Sequence, residues 1–120
     1  MDKICKANGI SMRKEIDKNG TIYYYNDKGE YHGEEEPAVE YADGTKYWFK
    51  NGERHREDGP AVEWKNGFKS WYKNNKLHRE DGPAIEYANG DKYYYYNGKL
   101  YSGIKTDEEW IRFVNLMVFQ

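Results

Sequence analysis

Two stretches of this sequence place a base, a cation and two carboxylates side by side: His55-Arg56-Glu57-Asp58 and His78-Arg79-Glu80-Asp81. Such groups are the obvious candidates for proton transfer or charge recognition. Their spacing argues for another role. A residue needed once for catalysis has no reason to recur in every structural unit, whereas one that shapes a bend or bonds the neighbouring unit must recur. Both segments are therefore expected to be architectural. Arg56 and Arg79 should pair with a carboxylate of an adjacent unit, the Asp-Gly-Pro steps should shape a bend, and neutral histidines should pack on Trp48 or Trp71. Strung along an array, the segments should not converge on a shared pocket.

Other chemistry finds less support. His32, His55 and His78 would sit about 10 Å apart if each unit contributes two strands at about 4.8 Å, too far to share a zinc ion that needs nitrogens at about 2.0–2.1 Å. No metal site is expected. Cys5 lies near the N-terminus, in a segment expected to be loose, and Ser11, Ser70 and Ser102 lack any elbow or triad context. No phosphate-binding or dinucleotide-binding glycine pattern occurs. The run Glu34-Glu35-Glu36 reads as a solvated face. The expectation is no catalytic residue, no cofactor and no enzyme.

What positions these residues is an internal repeat. Residues 37–59, 60–82 and 83–105 align without a gap; the first two share 14 of 23 residues and the last two share 10 of 23. Pro37, Pro60 and Pro83 fall at one repeat position. A degenerate copy precedes them over 15–36, with a longer turn at Asp27-Lys28-Gly29. Self-similarity of this kind defines a repeat architecture.

Each unit carries two turn signals. One is Asp43-Gly44, Asn66-Gly67 and Asn89-Gly90; the other is Asn51-Gly52, Asn74-Asn75 and Asn97-Gly98. These dipeptides tolerate the positive φ of tight hairpins and are flanked by β-favouring residues. Each unit should therefore hold a short aromatic strand, such as 46–50, and a longer one, 53–64, broken at Asp58-Gly59-Pro60. A two-residue turn at Asn51-Gly52 pairs Lys50 with Glu53, Phe49 with Arg54 and Trp48 with His55. The following copies pair Trp71 with His78, Tyr72 with Leu77, Tyr94 with Tyr101 and Tyr95 with Leu100. If the other loop spans three residues, Glu40, Glu63 and Glu86 meet Lys46, Lys69 and Lys92.

After the array, Thr106 and Glu109 form a capping box, and Trp110, Phe113, Val114 and Met117 recur at helical spacing. The fold expected is all-β: an antiparallel meander of 23-residue hairpin repeats in a single twisted sheet, with a short C-terminal capping helix. Residues 1–14 form an N-terminal extension, 15–105 three to four repeats, and 106–120 the helix that covers the last repeat.

Composition fits a thin sheet. Aromatics reach 18%, thirteen of them tyrosines, although hydrophobic residues make up only 38% and mean hydropathy is −1.20. Tyrosine buries a ring while leaving a hydroxyl in water, so this ring content argues against disorder. With 19 basic and 21 acidic residues the chain lacks the surplus positive charge of a general nucleic-acid binder. The single cysteine and the absence of an apolar leader or an 18-residue apolar run lead to an expectation of no export, no transmembrane segment and a reducing cytosol.

The segment Tyr47-Trp48-Phe49-Lys50-Asn51-Gly52-Glu53-Arg54-His55 and its counterpart in the next unit resemble MORN repeats (membrane occupation and recognition nexus). The longer form with Arg56-Glu57-Asp58-Gly59-Pro60-Ala61 resembles MORN-variant repeats of small bacteriophage, giant-virus and bacterial proteins. The resemblance covers about residues 15–105 and implies a meandering sheet with a binding role.

Aromatic rows on successive strands read as the binding surface, with Tyr24, Tyr47, Trp48, Trp71, Tyr72, Tyr94 and Tyr95 as its candidate residues. The function expected is that of a phage or bacterial accessory protein that binds, and in one use inhibits, a host protein such as a defence component, in the cytoplasm of the bacterial host. The alternatives are a nucleotide-signal binder and a structural part of a virion. An open edge strand could also pair two copies into a homodimer.

Overall fold

Alternating turn dipeptides and β-branched or aromatic runs leave the chain one regular choice, short antiparallel strands. The computed structural model describes residues 3–7 and 10–118; residues 1, 2, 8, 9, 119 and 120, parts of the expected extension and helix, lie outside the described residues. The strands are β1 Lys3–Ala7, β2 Ile10–Ile16, β3 Ile22–Tyr25, β4 Val39–Glu40, β5 Lys46–Tyr47, β6 Phe49–Lys50 and β7 Glu53–Arg54. They continue as β8 Val62–Glu63, β9 Lys69–Ser70, β10 Tyr72–Lys73, β11 Lys76–Leu77, β12 Ile85–Glu86, β13 Lys92–Tyr96 and β14 Lys99–Tyr101, and the helix α1 is Asp107–Val118.

Ten strands form one meandering sheet in the order β1-β2-β3-β4-β5-β8-β9-β12-β13-β14, and β6-β7 and β10-β11 are separate hairpins. Ten strands at about 4.8 Å spacing account for the long axis of a slab measuring 49 × 33 × 18 Å. A thickness of 18 Å is a single layer, which is why rings rather than aliphatic residues do the covering.

The expected registers hold at both turns. Phe49 faces Arg54 and Lys50 faces Glu53, Tyr72 faces Leu77, and Tyr94 and Tyr95 face Tyr101 and Leu100. Asn51 (φ 49°) and Gly52 (φ 84°) are both left-handed, as are Asn74 and Asn75. The other turn is a three-residue loop, closed by Tyr41 N–H donating to the Thr45 carbonyl at 2.9 Å. In that loop only Gly44, not Asp43, takes positive φ. Glu40 consequently meets Lys46, and the ladder continues through Glu63, Lys69, Glu86 and Lys92. Opposite charges alternate across the sheet, an arrangement that favours this register over a slip.

Three expectations need correction. The aromatic strand is interrupted at Trp48 and Trp71, and the longer strand is interrupted over 55–61 rather than at three residues alone. The reason lies in hydrogen bonding. Trp48 N–H turns to the Ala61 carbonyl while its own carbonyl receives His55 N–H, so the strand leaves the main sheet and enters a second row of hairpins. The N-terminal segment is also not loose: Cys5 lies opposite Met12 in the β1–β2 pair, and β2 runs through the expected boundary at residue 15 to pair with β3.

The second row is continuous as well. Arg56 N–H donates to the Tyr72 carbonyl and Asn75 N–H to the Arg54 carbonyl; Arg79 with Tyr95 and Gly98 with Leu77 repeat the pattern.

Helix α1 closes the array. Glu109 N–H donates to Thr106 Oγ1 at 3.1 Å, half of the expected capping box, while Glu109 reaches Lys105 N–H rather than that of Thr106. Trp110 and Val114 are buried against Tyr94, with Tyr96, Tyr101, Ile104 and Met117 around them. The Tyr94 hydroxyl donates to Asp107 at 2.8 Å. Burial, aided by that bond, pushes the phenol up from 10.0 to about 12. A raised folded value stabilises the protein below the unfolded one, and this contribution is lost as pH rises from 10 through about 12. Absorbance titration should show a phenol ionising at about 12, and Tyr94→Phe should abolish that late step and flatten the alkaline loss of stability.

Candidate functional site

The polar segments are built from the bend upward. With Trp48 diverting the chain, His55 falls beneath the next copy's turn, where its Nδ1 accepts the N–H of Asn74 at 2.9 Å. His32 does the same for Asn51 and His78 for Asn97. An Nδ1 that accepts leaves the hydrogen on Nε2, which donates to Glu57 from His55 at 2.7 Å and to Glu80 from His78 at 3.0 Å. The bond from His55 holds the Glu57 carboxyl below its ordinary value, with Lys73 adding to the effect. Each ring is a neutral staple between successive copies, and all three are buried.

The arginines occupy the place expected of the histidines. The Arg56 guanidinium lies over the Trp48 ring at 4.0 Å and that of Arg79 over Trp71 at 3.9 Å. Each also donates to a carboxylate of the following unit, Arg56 to Glu63 at 2.8 Å and Arg79 to Glu86 at 2.9 Å. Asp58 and the Pro60 carbonyl complete the Arg56 set. A Cβ on Gly59 would come within 2.9 Å of Arg56 Cζ, and on Gly82 within 2.8 Å of Arg79 Cζ. The glycine of each motif thus leaves room for an arginine folded back on a tryptophan, a role its sequence position does not reveal.

One expectation fails here. Adjacent segments do line a common cleft of about 440 Å³, walled by Arg56, Glu57 and Asp58 on one side and Arg79, Glu80 and Asp81 on the other. What the cleft can do chemically is limited by prior commitments. The histidine Nδ1 atoms are held by backbone amides and the guanidiniums by carboxylates, so neither a free base nor an open anion site results. Among the described residues no three His, Cys, Asp or Glu side chains are grouped to hold a metal ion.

The seven aromatic candidates separate onto two faces. Tyr24, Trp48, Trp71 and Tyr94 share the face that carries the arginines and α1. Tyr47, Tyr72 and Tyr95 point the other way, because neighbouring strand residues alternate. Cross-strand pairing places Tyr23, Val39, Tyr47, Val62, Ser70, Ile85 and Tyr93 in one row of that second face.

Beside this row lies a ridge that the candidate residues omit. Tyr41, Trp64 and Tyr87 occupy the fifth position of each copy, two residues after Val39, Val62 and Ile85, so period-two alternation would have found them. Their rings contact Tyr47 at 5.9 Å, Phe68 at 4.6 Å and Tyr93 at 5.9 Å respectively, and Phe68 links to Tyr87 at 5.1 Å. The middle copy has Ser70 where its neighbours have Tyr47 and Tyr93, and Phe68 supplies the missing ring from two residues earlier. Trp64 Nε1 donates to the Tyr47 hydroxyl at 3.1 Å, bridging two copies. Tyr41, Trp64, Tyr87 and Tyr93 remain 42–45% exposed. Between the first two copies, Tyr41, Tyr47 and Trp64 with Asp43, Thr45, Lys65 and Asn66 enclose an open cleft of about 540 Å³.

Comparison with protein-family models, with curated proteins and with solved structures returns no match. Among the described residues no helix is long and apolar enough to cross a membrane.

Proposed function

We propose that the protein is a non-enzymatic binding module that holds a protein partner on its ring-covered face. The observation that carries this reading is the ridge of Tyr41, Tyr47, Trp64, Phe68, Tyr87 and Tyr93. Its rings touch across three copies while four of them stay exposed. Tyrosine and tryptophan dominate interface energetics because they offer large rigid area at low entropic cost. Ridge and cleft together offer a partner a flat apolar seat with one recess for a side chain, rimmed by Asp43, Lys65 and Asn66.

We assign the module to the MORN-variant type and to an accessory protein of a bacteriophage or bacterium, acting in the cytosol on a host protein of which a defence component is one example. The support is the hairpin array, the lone cysteine and the ridge. A nucleotide-signal reading is less well supported, since Arg56 and Arg79 already bond carboxylates.

The test is affinity capture from bacterial host lysate with the intact protein and with a Trp64→Ser/Tyr87→Ser variant. Both sites are exposed, so the variant should fold. The intact chain should retain a specific protein that the variant binds at least about tenfold more weakly. No specific capture, or equal capture by both, would remove the ridge from consideration. Heat on titration with cyclic nucleotides would favour the small-ligand reading instead.

A further inference from the structure

Inside the array, the second strand of each hairpin offers backbone groups to the hairpin that follows. Leu77 gives its carbonyl to Gly98 N–H at 2.7 Å, and Arg79 gives its N–H to the Tyr95 carbonyl at 3.2 Å. The last copy has the same arrangement 23 residues on, at Leu100 and Ser102. There is no following hairpin. Among the described residues, neither the Leu100 carbonyl nor the Ser102 N–H bonds a backbone group outside the β13–β14 pair. Helix α1 covers the face of this copy through Trp110, Tyr94 and Tyr101 and leaves the outer edge of β14 bare.

We propose that this edge is a self-association site at which β14 of two copies pairs antiparallel about a twofold axis through Leu100. The interface differs from the ridge and does not depend on it. Three observations favour a second copy over a foreign strand. The edge continues the interface by which this chain's own hairpins already join. Leu100 lies opposite Tyr95 in the register in which Lys99 and Tyr101 bond inward, to Tyr96 and Tyr94, so its N–H and carbonyl both face out. One donor and one acceptor on the same residue is the arrangement that pairs with itself about a dyad. The register is also free of charge conflict, because Lys99 of each copy falls opposite Tyr101 of the other, the ring over which Lys99 already lies at 5.1 Å.

Apolar side chains flank the strand on both sides. Leu100 is 47% exposed on the ridge face; on the other face Phe113, packed on Tyr101 at 5.1 Å, is 37% exposed, and Leu116, one helical turn further, is 62% exposed. Apolar residues on a helix that already has its buried side are expected to meet another surface. In the paired arrangement the two helices approach each other across the axis.

Sedimentation equilibrium over a wide concentration range tests this. The full chain should move toward twice its 14.3 kDa mass as concentration rises. Leu100→Pro removes only an outward N–H, which an edge strand tolerates, and Leu116→Lys changes an exposed helix position. Each should raise the dimer dissociation constant at least about tenfold with circular dichroism unchanged. A 14.3 kDa species at every concentration, or a dimer indifferent to both substitutions, overturns the proposal. A dimer lost only on Trp64→Ser/Tyr87→Ser does so too, by placing the contact on the ridge.

Discussion

Trp110→Ala should lower stability by about 3–5 kcal/mol, the range for removing a buried large aromatic ring, and should do so by releasing the whole C-terminal helix. The indole is fully buried between Tyr94 at 5.4 Å and Tyr101 at 5.6 Å. Its Nε1 donates to the Arg79 carbonyl at 2.8 Å, a bond that reaches back into the preceding copy. Truncation therefore leaves a cavity and an unsatisfied carbonyl at once. The helix has 12 residues, a length that is marginal in water without tertiary contacts, so loss of the anchor should melt it. The expected readout is loss of the helical circular dichroism signal and a fall in Tm on the order of 10–20 °C. Trp110→Phe, which keeps most of the ring, should cost only about 1–3 kcal/mol for the orphaned carbonyl. An alanine variant that unfolds like the parent would show that the last copy does not need its helix.

His55→Ala should cost about 1–3 kcal/mol, because it removes a buried ring together with the acceptor that the Asn74 N–H bonds at 2.9 Å. Asn74 sits in a left-handed turn at φ 51°, a conformation that leaves its amide no acceptor within its own hairpin, so the neighbouring ring is its partner. Hydrogen exchange at Asn74 should accelerate while that at Asn51 and Asn97, served by His32 and His78, changes less. His55→Asn places an amide oxygen near the former Nδ1 and should recover part of the loss. Unchanged exchange at Asn74 would mean that the turn holds itself. The same ring shapes the acid response. Glu57 is held below its ordinary 4.5 by His55, so its contribution is present above that value and fades as pH falls through the lower folded one.

Much of this architecture is legible in the residues themselves. The two turn dipeptides fix the hairpin registers because only Asn and Gly take left-handed φ readily, and the stripe from Trp110 to Met117 marks the cap. The cross-unit arginine pairs follow from recurrence. What the chain did not disclose depends on the third dimension. Whether His55 or Arg56 lies on Trp48 turns on a bend created by one redirected tryptophan amide, which no local pattern encodes. The function of Gly59 is likewise set by a side chain that folds back upon it, not by its own φ. The ridge is hard to read for a simpler reason: Tyr41, Trp64 and Tyr87 stand as single rings outside the aromatic clusters and join them only when strand alternation is followed to the turn.

Between copies, His32, His55 and His78 each bond the turn of the next copy and Arg56 and Arg79 each bond a glutamate of the next copy, so these links join neighbours. The chain therefore behaves as a ruler with equal divisions. Duplicating one 23-residue segment should insert two strands into the main sheet and one hairpin into the second row, lengthen the slab by about 10 Å and add one more division of aromatic ridge, with the closing helix carried along unchanged.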